Sequence, residues 1–286
     1  MSSSEILALI ALLDDPDEGV YRHVRGKLLE QGTDILPLLR EKQTGGVQCD
    51  VHAGRLDEVV SGMMENRALE GLKNWAESGS ASVYEGVRWL ESACEFGANP
   101  EAAESTFRAM RRDVWLELNE ELTALEQIRV MNHVLYSVYG LRSVGLAEQS
   151  GAHALPFKSM EDRAGGPLGL GVLYLMLAES LEIPVRAVAV SGLFFLAYLD
   201  PRWDGGSGEP PVWFYINPFH GGEILSPEDL SEIATELEPG WKPEVLSPRG
   251  VCSRLGNFLA ASCERNNLRP TADRLSRLLK AHALEA

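Results

Sequence analysis

Along the first forty residues, apolar side chains return at the spacing of a helix face. Ile6, Ile10 and Leu13 form one stripe, and Val20, Val24 and Leu28 form a second. Ser2 and Glu5 have the spacing of a capping box, in which hydroxyl and carboxylate each accept a free amide at the helix start. Asp15-Pro16-Asp17-Glu18 predicts the start of the second helix, with proline at the first helical position, and Gly32 predicts its end. Thr33 caps a short third segment around Leu36 to Arg40. Residues 41–53, EKQTGGVQCDVHA, break the pattern and predict a linker.

From Gly54 to about Leu125 the helical spacing resumes, interrupted near Ser78-Gly79-Ser80 and at Gly97-Ala98-Asn99-Pro100. A further helix, LEQIRVMNHVLYSVYG, ends at Gly140, and an almost wholly apolar one is predicted from Leu168 to about Leu181. After residue 184 the period changes. VRAVAV, FFLAYLD and VWFYIN are rich in β-branched and aromatic residues and predict antiparallel strands at 185–190, 193–199 and 212–217. Residues 200–211 form the loop between the last two, NPFHGGEIL a turn, and Ser226-Pro227-Glu228-Asp229 a helix start. Two helices close the chain, separated near Asn266-Asn267 and Pro270. The expected class is α+β: helices first, a small antiparallel sheet late, helices last. The first three helices resemble a single HEAT-like unit, too small to bury its own face.

Composition narrows the function classes. The 286 residues carry 42 acidic against 26 basic side chains, a formal charge of −16, which argues against a nucleic-acid partner. The one basic cluster, Arg108, Arg111 and Arg112, is followed by Asp113 and Glu117 and reads as a solvated helix face. The longest apolar run, Leu170 to Leu177, is too short to cross a bilayer, and MSSSEILALIALLDD lacks the basic start of a signal peptide. Cys49, Cys94, Cys252 and Cys263 show no framework spacing; on one helix, Cys252 and Cys263 lie about 16 Å apart along its axis, too far to bridge. A cytoplasmic, acidic protein is expected. The histidines show no ligand spacing with one another or with cysteine, so neither a metal nor a cofactor is expected.

Three pieces carry candidate chemistry: Gly165-Gly166-Pro167-Leu168-Gly169-Leu170-Gly171 leading into a helix, Ser191-Gly192-Leu193-Phe194 opening a strand, and Asn217-Pro218-Phe219-His220-Gly221-Gly222 closing another. With the Leu181-Glu182-Ile183-Pro184-Val185 break, this order resembles the transglutaminase-like superfamily of papain-like folds. The resemblance is to its bacterial members with a helical N-terminal region and tetratricopeptide-type C-terminal helices. It implies a helical region at 1–124, a transglutaminase-like core at 125–240 and a helical tail at 241–286. In active relatives the three pieces deliver Cys, His and Asp: a thiolate favoured at a helix N-terminus, an imidazole to move its proton, and a carboxylate to orient the ring. The corresponding positions here hold Pro167, Leu193 and Asn217. Neither proline nor leucine has a nucleophilic or basic group, and proline lacks the N–H that would help hold an oxyanion.

The resemblance therefore implies a pseudoenzyme, a protein-interaction or scaffolding module with a protein partner. An apolar pocket is expected where the cleft was, near Pro167, Leu193, Phe194, Asn217 and His220. The alternative is a hydrolase or acyl-transferase in which Ser159, Ser191 or Cys94 works with His220. Against that, His220 reads as a turn histidine bonding nearby backbone, and His133, among apolar neighbours, as packed. The glycines lack the order of a nucleotide loop and read as sites of close backbone packing. Glu179 and Glu182 read as solvent-facing. Trp203, Trp213, Phe214 and Tyr215 are either a recognition patch or the alternating faces of a strand.

Overall fold

The structure, a computed structural model, describes residues 1–44, 50–79, 82–94, 100–145, 150–190, 193–203, 211–237 and 239–281. Its contacts divide the chain into two compact units, Met1–Lys73 and Asn74–Ala286.

In the first unit, α1 (Ser3–Ala11) opens on the expected capping box: Ser2 Oγ accepts from Glu5 N–H at 3.3 Å, and the Glu5 carboxylate accepts from Ser2 N–H at 2.7 Å. The second helix, α2 (Glu18–Glu30), starts two residues later than expected. Asp17 is its cap, accepting from Gly19 N–H at 2.6 Å, and Pro16 stands outside the helix. Residues 41–44, read as linker, complete α3 (Leu36–Thr44), and residues 50–53 begin α4 (Asp50–Glu77); residues 45–49, with Cys49, lie outside the described residues. Ile6, Ile10, Leu13, Val24, Leu28 and Leu39 meet Leu56, Val59 and Met63 in one core. Arg55 pins the α1–α2 corner by donating to the carbonyls of Leu13 (2.8 Å) and Asp15 (2.7 Å) and to Glu18 (2.7 Å). Its guanidinium lies 4.4 Å over the Tyr21 ring. Tyr21 Oη donates to Glu58, and burial together with that carboxylate raises the phenol pKa to about 12.

The second unit is built around one helix. After α5 (Val83–Ser92), α6 (Pro100–Glu117) and α7 (Ala124–Asn132), a π-turn (His133–Val138) leads to β1 (Arg142–Ser143). Then come α8 (Pro156–Asp162), β2 (Ala164–Gly165), parallel to β1, and α9 (Pro167–Ser180). The sheet has the order β3 (Val185–Val190), β4 (Leu193–Leu199), β5 (Val212–Asn217) and β6 (Glu223–Leu225), all antiparallel. The three expected strands are present, and the fold is α+β with flanking helices. The elements not expected are α8, the short parallel pair β1–β2, and β6, which pairs Asn217 with Glu223 and Tyr215 with Leu225. Helices α10 (Pro227–Leu237), α11 (Pro248–Arg265) and α12 (Arg269–Ala281) complete it.

Because α9 is apolar on all sides, it has to be covered on all sides. Strands β3 and β4 cover one side, and α5, α6 and α8 cover others. The opposite sheet face carries Val188, Val190, Phe195, Ala197 and Tyr215 under Leu230 and Ala234 of α10. The outer edge of β3 is closed by a Val188–Val245 bridge and by Leu246 N–H donating to Ala187 at 2.9 Å.

Two helix starts in this unit are capped from far away in sequence. Buried Glu91 accepts from the first amides of α8, Phe157 at 3.0 Å and Lys158 at 2.8 Å. Glu179 accepts from Val83 N–H at the start of α5, at 3.0 Å. Replacing Glu91 by Ala therefore leaves amides of α8 without an acceptor. A loss of about 1–3 kcal/mol in unfolding free energy is expected, read as a lowered denaturant midpoint at unchanged slope.

Candidate functional site

Around the N-terminus of α9 the packing leaves no room for a side chain at Gly165 or Gly169. A Cβ on Gly169 would lie 2.3 Å from the His153 carbonyl oxygen and 2.4 Å from Ser159 Oγ, and one on Gly165 would lie 2.7 Å from the same hydroxyl. The glycine spacing thus serves close backbone approach. Gly166 is the N-cap, its N–H donating to the His153 carbonyl at 2.8 Å, and half-buried Pro167 takes the first helical position. That position needs no N–H for the helix ladder, and the fixed φ of proline suits it.

One turn further on, Gly171 faces β4. A Cβ there would stand 2.3 Å from Phe194 Cδ1, so the ring lies flush on the helix backbone. Leu193, its neighbour, packs with Phe195 and Tyr215 in the cluster on the α10 side. The two residues sit on opposite faces of β4, as strand alternation requires. The Leu193 carbonyl accepts from Arg254 Nη2 at 3.4 Å, and burial lowers the pKa of that guanidinium.

Asn217 ends β5 and is 9% exposed. Its Nδ2 lies 2.7 Å from His220 Nδ1, so the amide donates and the ring nitrogen accepts. His220 thus bonds a side chain, not the backbone as expected, and its ring is mostly exposed, 3.9 Å from the Glu223 carboxylate. The turn carrying it, Pro218–His220, is gripped from behind. Asn132 Nδ2 donates to the Gly222 carbonyl at 2.8 Å, Tyr136 Oη to the Pro218 carbonyl at 2.7 Å, and buried Tyr174 of α9 to Asn132 Oδ1 at 2.9 Å. Gly222 has φ of 75°, and a Cβ on it would stand 1.9 Å from Asn132 Oδ1, so only glycine fits.

The other candidate groups are dispersed. Ser159 is fully buried, its Oγ donating to the His153 carbonyl at 3.2 Å. Cys94, Cys252 and Cys263 are buried; Cys94 Sγ donates to the Leu90 carbonyl at 3.6 Å, and burial pushes the Cys252 thiol up. Ser191 lies outside the described residues. His133 is exposed where packing was expected, because the π-turn shifts the buried face to Val134 and Leu135. Glu179 is also corrected. It is part-buried, and desolvation raises its carboxyl pKa against the pull of the α5 amides. Phe214 and Tyr215 are buried and Trp203 packs on the α10-side cluster, while Trp213 is 46% exposed and stacks on Tyr198 at 5.7 Å. On α6, Arg108 pairs with Glu104, Arg112 with Asp113 at 2.8 Å, and Arg111 donates to the Ser180 carbonyl at 2.9 Å. Among the described residues no three His, Cys, Asp or Glu side chains are placed to hold a metal, and no helix is long and apolar enough to cross a membrane.

The residues that sequence reasoning missed are Asn132, Tyr136, Tyr174 and Arg254. Only Tyr174 left a trace, as the one hydroxyl within an apolar helix run. Compared with known proteins, residues 101–255 match the family model of the transglutaminase-like superfamily. That span covers more than half of the 286 residues, from the start of α6 into α11. No curated protein and no solved structure matches the chain.

The Gly171–Phe194 contact generates a direct test. Gly171→Ala is expected to cost about 1–3 kcal/mol through overpacking, and clearly less in a Phe194→Leu background. A denaturant double-mutant cycle reads the coupling; additive costs would remove this contact from the account.

Proposed function

Because the chain belongs to the transglutaminase-like superfamily yet carries Pro167, Leu193 and Asn217 where that chemistry needs a thiol, an imidazole and a carboxylate, we propose that it is a non-catalytic member acting as a protein-interaction or scaffolding module. The carrying observation is Pro167 at the first position of α9. Its ring offers no nucleophile, and the amide that could stabilise an oxyanion is gone. Phe194 supports the same reading, since its ring occupies the helix face next to that terminus. Cys94, Cys252 and Cys263 are buried as thiols, which fits a reducing compartment and supports a cytoplasmic location.

The displaced-nucleophile alternative has less behind it. An attacking hydroxyl or thiol must reach a substrate with a base in hydrogen-bond contact. Ser159 and Cys94 are buried and donate to backbone carbonyls, while His220 is held by Asn217 on an exposed turn.

Purified protein is expected to show no protease, amidase or transglutaminase turnover. Losing the nucleophile and its base together leaves at most the ~10³-fold over water that binding and electrostatics supply. Pro167→Cys alone restores nothing, because position 193 offers no imidazole to take the thiol proton. Electrophilic serine and cysteine probes should label no single residue stoichiometrically, and serine in place of each cysteine should leave partner binding intact. Reproducible turnover that vanishes with Ser159→Ala or Cys94→Ser alone would overturn the reading and promote the hydrolase.

A further inference from the structure

At the far end of α9 from Pro167 lies a cavity of about 470 Å³, within the usual size range of small-ligand sites. The two ends are well separated: Glu179, which lines the cavity, stands about 18 Å along the helix from Pro167. The walls are mostly apolar, with Leu175, Ile183, Leu199 and Val251 among them, and Trp203 adds an indole surface. The polar lining is mainly acidic, from Glu179, Glu182 and Asp200, with Arg186 as the lining cation.

These charges are not equally committed. Asp200 is held by Arg202 at 2.6 Å, which keeps its carboxyl at a pKa of about 2. Arg186 donates to the Val185 carbonyl at 2.9 Å and acts on Glu179 only from a distance. Glu179 has no cation within ion-pair distance among the described residues, although it is part-buried. Burying an anion without a counter-ion is unfavourable, and the α5 amides of Val83 and Tyr84 offset only part of that. The Val83 N–H is shared between the two carboxylate oxygens, at 3.0 and 3.3 Å, so both oxygens keep lone-pair capacity for further donors.

We propose that this cavity binds a guanidinium group carried on an apolar stem. Glu179 accepts its two-pronged donor edge, Trp203 lies against its flat face, and the apolar walls take the stem. A planar fork matches a carboxylate with both oxygens available better than a compact ammonium does, and it also stacks on an aromatic face. Either a free guanidino compound or an arginine side chain of a protein supplies this chemistry. The inference stands whether or not the chain is catalytic, because it uses none of the residues at the start of α9.

Isothermal titration of the full chain with n-butylguanidinium, and with an end-blocked Ala-Arg-Ala peptide, tests it. Saturable one-to-one binding of at least one probe is expected, with n-butylammonium clearly weaker. Glu179→Gln and Trp203→Ala should each weaken binding about tenfold, and Arg186→Ala should tighten it severalfold by removing a competing cation. Should Glu179→Gln fail to fold because it caps α5, Trp203→Ala and Arg186→Ala decide the outcome, with thermal melts confirming that they are folded. Peptide binding at least as tight as that of the small probe assigns the site to a protein's arginine; binding of the small probe alone assigns it to a free metabolite. No saturable heat from either probe at millimolar concentration, n-butylammonium binding as tightly, or affinity indifferent to the folded variants overturns the proposal.

Discussion

The second unit depends on burying one helix that has no polar face. Helix α9 places eleven consecutive residues, Leu168 to Ala178, out of solvent, including Tyr174. Such a helix gains stability only if every side finds an apolar partner at contact distance. Glycine at 165, 169 and 171 lets the neighbours come close enough, with Ser159 on one side and the Phe194 ring on another. The sheet, α5, α6 and α8 are therefore best understood as the lining of one slot.

That arrangement creates a polar problem, because elements pressed around a buried helix also bring their own backbone amides out of water. The solution is a set of long-range acceptors. Glu91 takes the start of α8, Glu179 takes the start of α5, and the His153 carbonyl takes both Gly166 N–H and Ser159 Oγ. Tyr174 extends the same accounting outward through Asn132 to Gly222, so the turn bearing His220 is tied back to the buried helix. Packing and hydrogen bonding thus converge on α9 from segments before and after it in the chain.

What could be read from the sequence follows from this division. Strands β3, β4 and β5 were legible because β-branched and aromatic runs suit a pleated surface. Helix α9 was legible because fourteen residues almost without charge cannot stay exposed. The three residues of β6 were not legible: Glu-Ile-Leu is too short a pattern, and pairing with β5 makes it a strand. Nor was the role of Glu179, whose partner amide is 96 residues away and leaves no local mark. His133 misled for a geometric reason, since a π-turn inserts an extra residue per turn and rotates the apolar face away from it. At the candidate site, the identities of Pro167, Leu193 and Asn217 were plain in the sequence. The face each one presents was not.

Those faces follow from the packing around α9. Pro167 suits the first position of the helix, and Leu193 adds apolar contact under α10, so both residues serve the packing. An imidazole at 193 would project toward Phe195 and Tyr215, on the side of the sheet away from α9. Moving it to the helix side would require slipping β4 by one residue, which would turn Phe194 out of its seat on Gly171 and send every other side chain of the strand to the wrong face. The register that buries α9 is the register that keeps position 193 away from it.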